Sequence, residues 1–184
     1  MRCFIALEFP DDIKEKIYRS IKPEVRSKPE LKWVSQENLH LTLKFLGEIS
    51  EHKAREVAEE LEKNFRGAKK IRVKLGKVGS FTDRGYIRVL WIGVEEGENE
   101  IKGLAEIVEK SMKKLGFPRE KREFVPHLTI ARTRKRSSKR YRPSDFNIDL
   151  KIPEFFIREI VLYRSTLTPD GPIYQKLNVI RLDG

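Results

Sequence analysis

Two short runs hold the residues best suited to chemistry. His40-Leu41-Thr42-Leu43 and His127-Leu128-Thr129-Ile130 each place Leu, Thr and an aliphatic residue after a histidine, and together they use two of the three histidines in the chain. Composition alone would give a histidine that sequel on the order of once in two thousand. In a β-strand, side chains at i and i+2 share a face. Each run therefore offers one imidazole and one hydroxyl to the same side, while Leu41 and Leu43, or Leu128 and Ile130, anchor the other side in a core. Two imidazoles suit acid–base work near neutral pH, because an ordinary pKa of about 6.5 lets one stay neutral as base while the other stays protonated as acid. A strained cyclic phosphodiester needs little more: a base for the attacking water, an acid for the departing ribose oxygen, and hydroxyl donors for the phosphoryl oxygens.

Neighbouring residues extend this constellation. Lys44 has the parity of His40 and is expected to line the same cleft. Phe45 is a candidate to stack a base, as is Phe9, although an aromatic at a strand end more often belongs to a core. Arg132 closes the second run and is a candidate phosphate ligand; strict alternation turns it away from His127 unless a bulge or the strand end turns it back. His52 falls in the first turn of an expected helix, with no Cys or acidic partner at ligand spacing, and reads as a surface residue. No metal site, cofactor motif or P-loop is expected, so neither a metal nor ATP is indicated.

The chain has 184 residues with a formal net charge of +11, and seven of its basic residues lie between Arg132 and Arg142 with no acid among them. Ser137, Ser138 and Pro143 mark this stretch as a surface loop. Clustered cations gain affinity for polyanions by releasing condensed counterions, so a loop directly after His127 points to an RNA backbone. The lone Cys3 leaves no intramolecular disulfide and no cysteine-rich metal site, which suits a cytoplasmic location. No apolar run approaches the ~18 residues of a membrane span, and an acid at Glu8 interrupts the N-terminus too early for a secretory signal. The surplus of Lys, Arg and Glu over Gln and Cys has a thermophile's balance.

The elements that must hold these residues follow from periodicity. Strands are expected at 4–9, 39–46, 71–75, 86–94, 124–131, 155–167 and 173–181, the last two forming a hairpin around Thr168-Pro169-Asp170-Gly171-Pro172. The Val89-Leu90-Trp91-Ile92 run suggests a strand buried on both faces. Helices are expected after Pro10-Asp11-Asp12, after a Ser50 cap, and over Ile101–Leu115. Mixed helices and hairpins indicate an α+β fold. Strand, helix and His40 strand are echoed by strand, helix and His127 strand, which suggests two similar lobes facing across a cleft within one domain, 1–184.

The paired runs, with Lys44-Phe45-Leu46-Gly47-Glu48 after the first, Ala131-Arg132 after the second and Arg2-Cys3-Phe4-Ile5-Ala6-Leu7 at the start, resemble the two-histidine phosphoesterase superfamily, and within it the RNA 2′,3′-cyclic phosphodiesterase or 2′-5′ RNA ligase family. The resemblance spans the whole chain. It implies a bilobal fold with one H-x-T-x motif per lobe, His40 as proton donor, His127 as proton acceptor, and Thr42 and Thr129 beside them. It further implies hydrolysis of a terminal 2′,3′-cyclic phosphate to a 2′-phosphate without metal, on RNA that includes tRNA fragments, by a protein expected to be a monomer. Joining tRNA halves through a 2′,5′ bond is the reverse reaction and the alternative within enzymes. An RNA-binding module without turnover is the alternative outside them, and it leaves the two histidines unexplained.

Overall fold

Ile13, Ile17 and Ile21 recur every four residues and are all buried, so they form the inner stripe of α1 (Asp11–Ser27). Asp11 and Asp12 occupy its positive end. Ser50 caps α2 (Glu51–Phe65), its side chain accepting from the Lys53 amide at 3.1 Å, and Ala54, Val57, Leu61 and Phe65 face inward. In α3 (Glu98–Lys114) the inward residues are Ile101, Leu104, Ala105, Val108 and Met112. The computed structural model describes residues 1–184, and it sets these three helices against two antiparallel sheets.

The first sheet has the order β3 (His40–Glu48), β1 (Arg2–Glu8), β8 (Glu159–Thr168), β9 (Gly171–Arg181). The second has the order β2 (Lys32–Trp33), β6 (His127–Arg132), β5 (Tyr86–Glu96), β4 (Ile71–Asp83), β7 (Phe155–Ile157). The two histidine strands, β3 and β6, lie next to each other where the sheets meet, without a shared ladder. Cys3, Ile5 and Leu7 on one face of β1 join the main core with the helices. Phe4 and Ala6 on its other face form a separate small cluster with Val161 and Tyr163. This second face is the one that carries His40.

Several boundaries differ from expectation. The expected strand 155–167 breaks at Arg158: Phe155–Ile157 pairs with β4 and Glu159 onward pairs with β1, so one segment stitches the two sheets together. The β5 run is not buried on both faces; Leu90 and Ile92 are buried, whereas Val89 and Trp91 are only half-buried. Alternation therefore persists through an apolar run, because the outer face is lined by aromatic side chains and not by solvent. β4 extends through Asp83, and the hairpin closes on Arg84 and Gly85, both at positive φ (51° and 82°), as a tight two-residue turn requires.

A bulge sits at the same place in both histidine strands. On β3, Thr42 faces Ala6 and Lys44 faces Ile5, leaving Leu43 as the extra residue. On β6, Thr129 faces Trp91 and Ala131 faces Leu90, leaving Ile130 as the extra residue. An extra residue reverses the parity of everything after it. Leu43 and Lys44 are consequently both buried, as are Ile130 and Ala131.

Lys44 is thus turned out of the cleft that its spacing from His40 suggested. It is 7% exposed, and its ammonium bonds Glu109 of α3 at 2.8 Å and the Pro118 carbonyl at 3.0 Å. Removing one partner of a buried pair strands the other charge, at a cost of about 3–5 kcal/mol, whereas replacing both partners by apolar residues leaves no charge to compensate. Glu109→Ala and Lys44→Met should therefore each destabilise the protein by up to that order, and the double variant Lys44→Met with Glu109→Leu by clearly less than their sum, in urea unfolding. Losses that add in the double variant would contradict this assignment of the pair.

Candidate active site

Both imidazoles are fixed in the same way. His40 Nδ1 lies 2.7 Å from the Asn38 carbonyl, and His127 Nδ1 lies 2.6 Å from the Val125 carbonyl, in each case the main chain two residues earlier. A carbonyl only accepts, so Nδ1 carries the hydrogen in both rings. Nε2 is left to exchange protons. His40 Nε2 is 2.9 Å from the Thr42 hydroxyl, which donates to it when the ring is neutral. His127 Nε2 has no such partner.

The central strands align these groups register for register. His40 faces Glu8 and Thr42 faces Ala6 on β1; His127 faces Gly93 and Thr129 faces Trp91 on β5. Past the bulges, Phe45 faces Phe4 and Arg132 faces Val89. Phe45 is therefore returned to the histidine face, where it is 65% exposed and 6.0 Å from the Phe4 ring. Arg132 is returned likewise, since its charge bears on His40, His127 and Tyr174 together. The bulge is the condition that alternation alone could not supply.

Aromatic rings wall both histidines, and sequence reasoning did not identify them. Phe4 lies 4.9 Å and Tyr174 5.3 Å from the His40 ring, with Tyr163 at 6.4 Å. Phe81 lies 5.2 Å and Trp91 6.0 Å from the His127 ring. Trp91 lies flat over two glycines: a Cβ on Gly79 would come within 2.4 Å of its ring and one on Gly93 within 3.3 Å. Glu8, also unforeseen, is held by Lys14, by Lys176 at 3.4 Å and by the Tyr163 hydroxyl. The usable signal was the register, since Trp91 and Glu8 stand beside the motif residues on the neighbouring strands. Phe9 is 1% exposed and packs on Phe155, so it belongs to the core, and His52 is a surface residue 3.9 Å from Glu56. No cluster of three or more His, Cys, Asp or Glu side chains is positioned to hold a metal ion. No helix is long and apolar enough to cross a membrane.

Electrostatics leaves the resting site uncharged at its histidines. Burial brings His40 down to about 4; the Asn38 carbonyl and Glu8 oppose this, while Lys14 and Arg132 add to it. His127 is also lowered, by burial first and then by Arg132, against the pull of the Val125 carbonyl. At neutral pH both rings are neutral and each presents an unprotonated Nε2. An anion bound between them would raise both, because a nearby negative charge favours the imidazolium.

The two lobes, each with an imidazole and a hydroxyl aimed into one cleft, define a two-histidine α+β protein of internal pseudo-symmetry. The family described as LigT like Phosphoesterase matches residues 7–91 and 92–174, and the chain belongs to that family. A Methanocaldococcus jannaschii protein named RNA 2′,3′-cyclic phosphodiesterase is 38% identical, covering 95% of this chain and 97% of its own. An Archaeoglobus fulgidus protein of the same name is 39% identical, over 97% and 99%. A crystal structure of a Thermus thermophilus protein superposes with a TM-score of 0.82 at 27% identity, covering 100% of this chain and 99% of the other.

The depressed His40 makes a signed prediction about stability. The folded ring takes its proton only near pH 4, the unfolded one near 6.5. Between those values the unfolded chain binds more protons, so acidification through that window costs stability, by up to about 1.4 kcal/mol per pH unit. His127 contributes with the same sign. His40→Gln should flatten the loss of unfolding free energy between pH 6.5 and pH 5. A slope unchanged from wild type would contradict the assignment.

Proposed function

We propose that this chain hydrolyses the terminal 2′,3′-cyclic phosphate of RNA to a 2′-phosphate by proton transfer between two histidines, without a metal. The observation that carries this reading is the matched pair of imidazoles, each with Nδ1–H committed to a main-chain carbonyl and Nε2 left for exchange. The relatives named RNA 2′,3′-cyclic phosphodiesterase, similar over nearly their whole length, support the same substrate.

In the proposed reaction the cyclic diester lies between the two Nε2 atoms. His127 takes a proton from water, the water oxygen bonds to phosphorus, and the bond from phosphorus to O3′ breaks. His40 delivers its proton to O3′, leaving a 3′-hydroxyl and a 2′-monoester. Exchange with solvent then restores both rings. Thr42 and Thr129 donate to the non-bridging oxygens, and Arg132 balances the charge that builds on them. The open Nε2 of His127 suits the base, whereas that of His40 is already engaged by Thr42. Phe45, exposed on the same face, offers a surface for stacking the adjoining base. Lys44 takes no part, being buried against α3.

The basic loop supplies affinity for longer RNA. Structure divides its cations: Arg134 bonds the Glu30 carbonyl at 3.2 Å, Lys139 pairs with Glu30 at 3.4 Å, and Arg142 lies over the Tyr86 ring. Lys135, Arg136 and Arg140 are exposed with no ion-pair partner.

Hydrolysis of an oligonucleotide ending in a 2′,3′-cyclic phosphate should proceed undiminished in excess EDTA, and chromatography should find the phosphate on O2′. A strict need for divalent metal, or a 3′-phosphate product, would overturn the mechanism. For the loop, neutralising Lys135, Arg136 and Arg140 together should reduce the slope of log affinity against log salt by about two on single-stranded RNA, and leave the rate on a cyclic mononucleotide unchanged. An unchanged slope would return the loop to a purely solubilising role.

A further inference from the structure

The two lobes correspond position by position along their central strands, and the correspondence fails most sharply in charge. Glu8 stands opposite His40, while the equivalent place opposite His127 is Gly93. Past the bulge, the uncharged Phe45 of the first lobe corresponds to the cationic Arg132 of the second. The pseudo-symmetric site thus has a carboxylate at one imidazole and a guanidinium following the other. A symmetric pair of imidazoles would have no reason to divide into acid and base; fixed charges of opposite sign provide one.

We propose that Glu8 is the positioning residue that keeps the transferable proton on His40 in the substrate complex, leaving His127 as the base. This rests on the two-histidine reading above. Directly opposed residues of an antiparallel pair project from the same face with Cβ atoms about 4.5–5.5 Å apart, so Glu8 and His40 share a face, and the Glu8 charge bears on the imidazole while its carboxylate is bonded elsewhere. Glu8 is only 10% exposed at its side chain, and a carboxylate so placed must be kept ionised to act. Burial alone would raise it, yet hydrogen bonds from Lys14 and Tyr163 and the charges of Lys14 and Lys176 hold it below its ordinary value.

The groups around His40 are Asn38 and Thr42 on its own segment, Glu8 on β1, Lys14 on α1, Tyr163 on β8, Tyr174 and Lys176 on β9, and Arg132 across the cleft. Among these Glu8 is the only anion, and its pull on His40 exceeds the opposing push of Lys14 behind it. In the empty cleft burial outweighs Glu8 and both rings are neutral. A bound phosphate raises both rings, and the protein's own charges then act in opposite senses on the two. Glu8 draws a proton to His40, against the deeper burial of that ring, whereas at His127 no carboxylate stands and Arg132 repels the proton.

The test is an NMR titration of the histidine ring signals with the full chain saturated in adenosine 2′-monophosphate. In the wild-type complex His40 should take its proton at higher pH than His127. Glu8→Gln should lower the His40 midpoint by about one unit or more, the usual effect of losing an opposite charge at this range, and Glu8→Asp should restore it. Because Glu8→Gln leaves Lys14 unpaired and can impair folding, the double variant Glu8→Gln with Lys14→Met provides a second arm. It strands neither charge, and it should still lower the His40 midpoint, because the pull of Glu8 exceeds the push of Lys14. A structural role for Glu8 alone would change the melting temperature without moving either midpoint. The proposal is overturned if His127 titrates above His40 in the wild-type complex, or if the His40 midpoint fails to move in whichever of these variants folds. Hydrolysis of 2′,3′-cyclic AMP by the same wild-type sample tests the reaction itself, so failure of that reading is seen independently of the titration order.

Discussion

The hydrogen bond from each histidine Nδ1 to a carbonyl two residues earlier governs what this cleft can do. It fixes the tautomer, aims Nε2 away from the strand, and ties the orientation of the ring to the backbone that carries it. A ring free to rotate would present either nitrogen. Here the carbonyls of Asn38 and Val125, at the mouths of β3 and β6, decide which one faces the cleft. The hydroxyl two residues further on belongs to the same face by strand geometry. Each lobe therefore needs only five consecutive residues, Asn38–Thr42 or Val125–Thr129, of which the last three are strand, which is why the working unit is so short.

Bringing two such units together is the task of the rest of the fold. Neither β3 nor β6 hydrogen-bonds the other; their relative position depends on the sheets to which they belong. Those sheets are joined by the segment 155–168, which pairs with β4 before Arg158 and with β1 after it. The helices α2 and α3 cover the side away from the cleft, and the Lys44–Glu109 pair pins β3 to α3 there. The matching bulges connect these two demands. By reversing parity after the threonine, each bulge sends one residue into the helical layer and the next into the cleft. Lys44 thereby becomes structural, and Phe45 and Arg132 join the site.

Much of the site and of the element order was legible in the sequence because the motif repeats and its polarity is the opposite of what a buried strand needs. The positions of α1, α2 and α3 followed from their apolar stripes, and the α+β class from the mixture of elements. Strand alternation placed Leu41, Leu43, Leu128 and Ile130 correctly in the core. It failed at Lys44 for a definite reason: a bulge costs one residue of register and leaves no compositional mark in Leu43 or Ile130. The break at Arg158 was hidden for a similar reason, since both halves of 155–167 satisfy strand propensity and only pairing partners distinguish them. The aromatic walls and Glu8 are products of register between strands far apart in the chain. Trp91 stands in an apolar run that suggests burial on both faces, whereas Gly79 and Gly93 make a flat bed for it on the cleft face.

The central claim is that the two imidazoles act as one catalytic unit. Groups that act in the same step are not additive, so removing the second costs little once the first is gone. The decisive measurement is the single-turnover rate on a 2′,3′-cyclic-phosphate oligonucleotide, in EDTA, for His40→Ala, His127→Ala and the double variant. Each single variant is expected to lose about 10²–10⁴-fold, and the double variant to be scarcely slower than the slower of the two. A single variant that keeps near-wild-type turnover, or losses that multiply in the double variant, would contradict it.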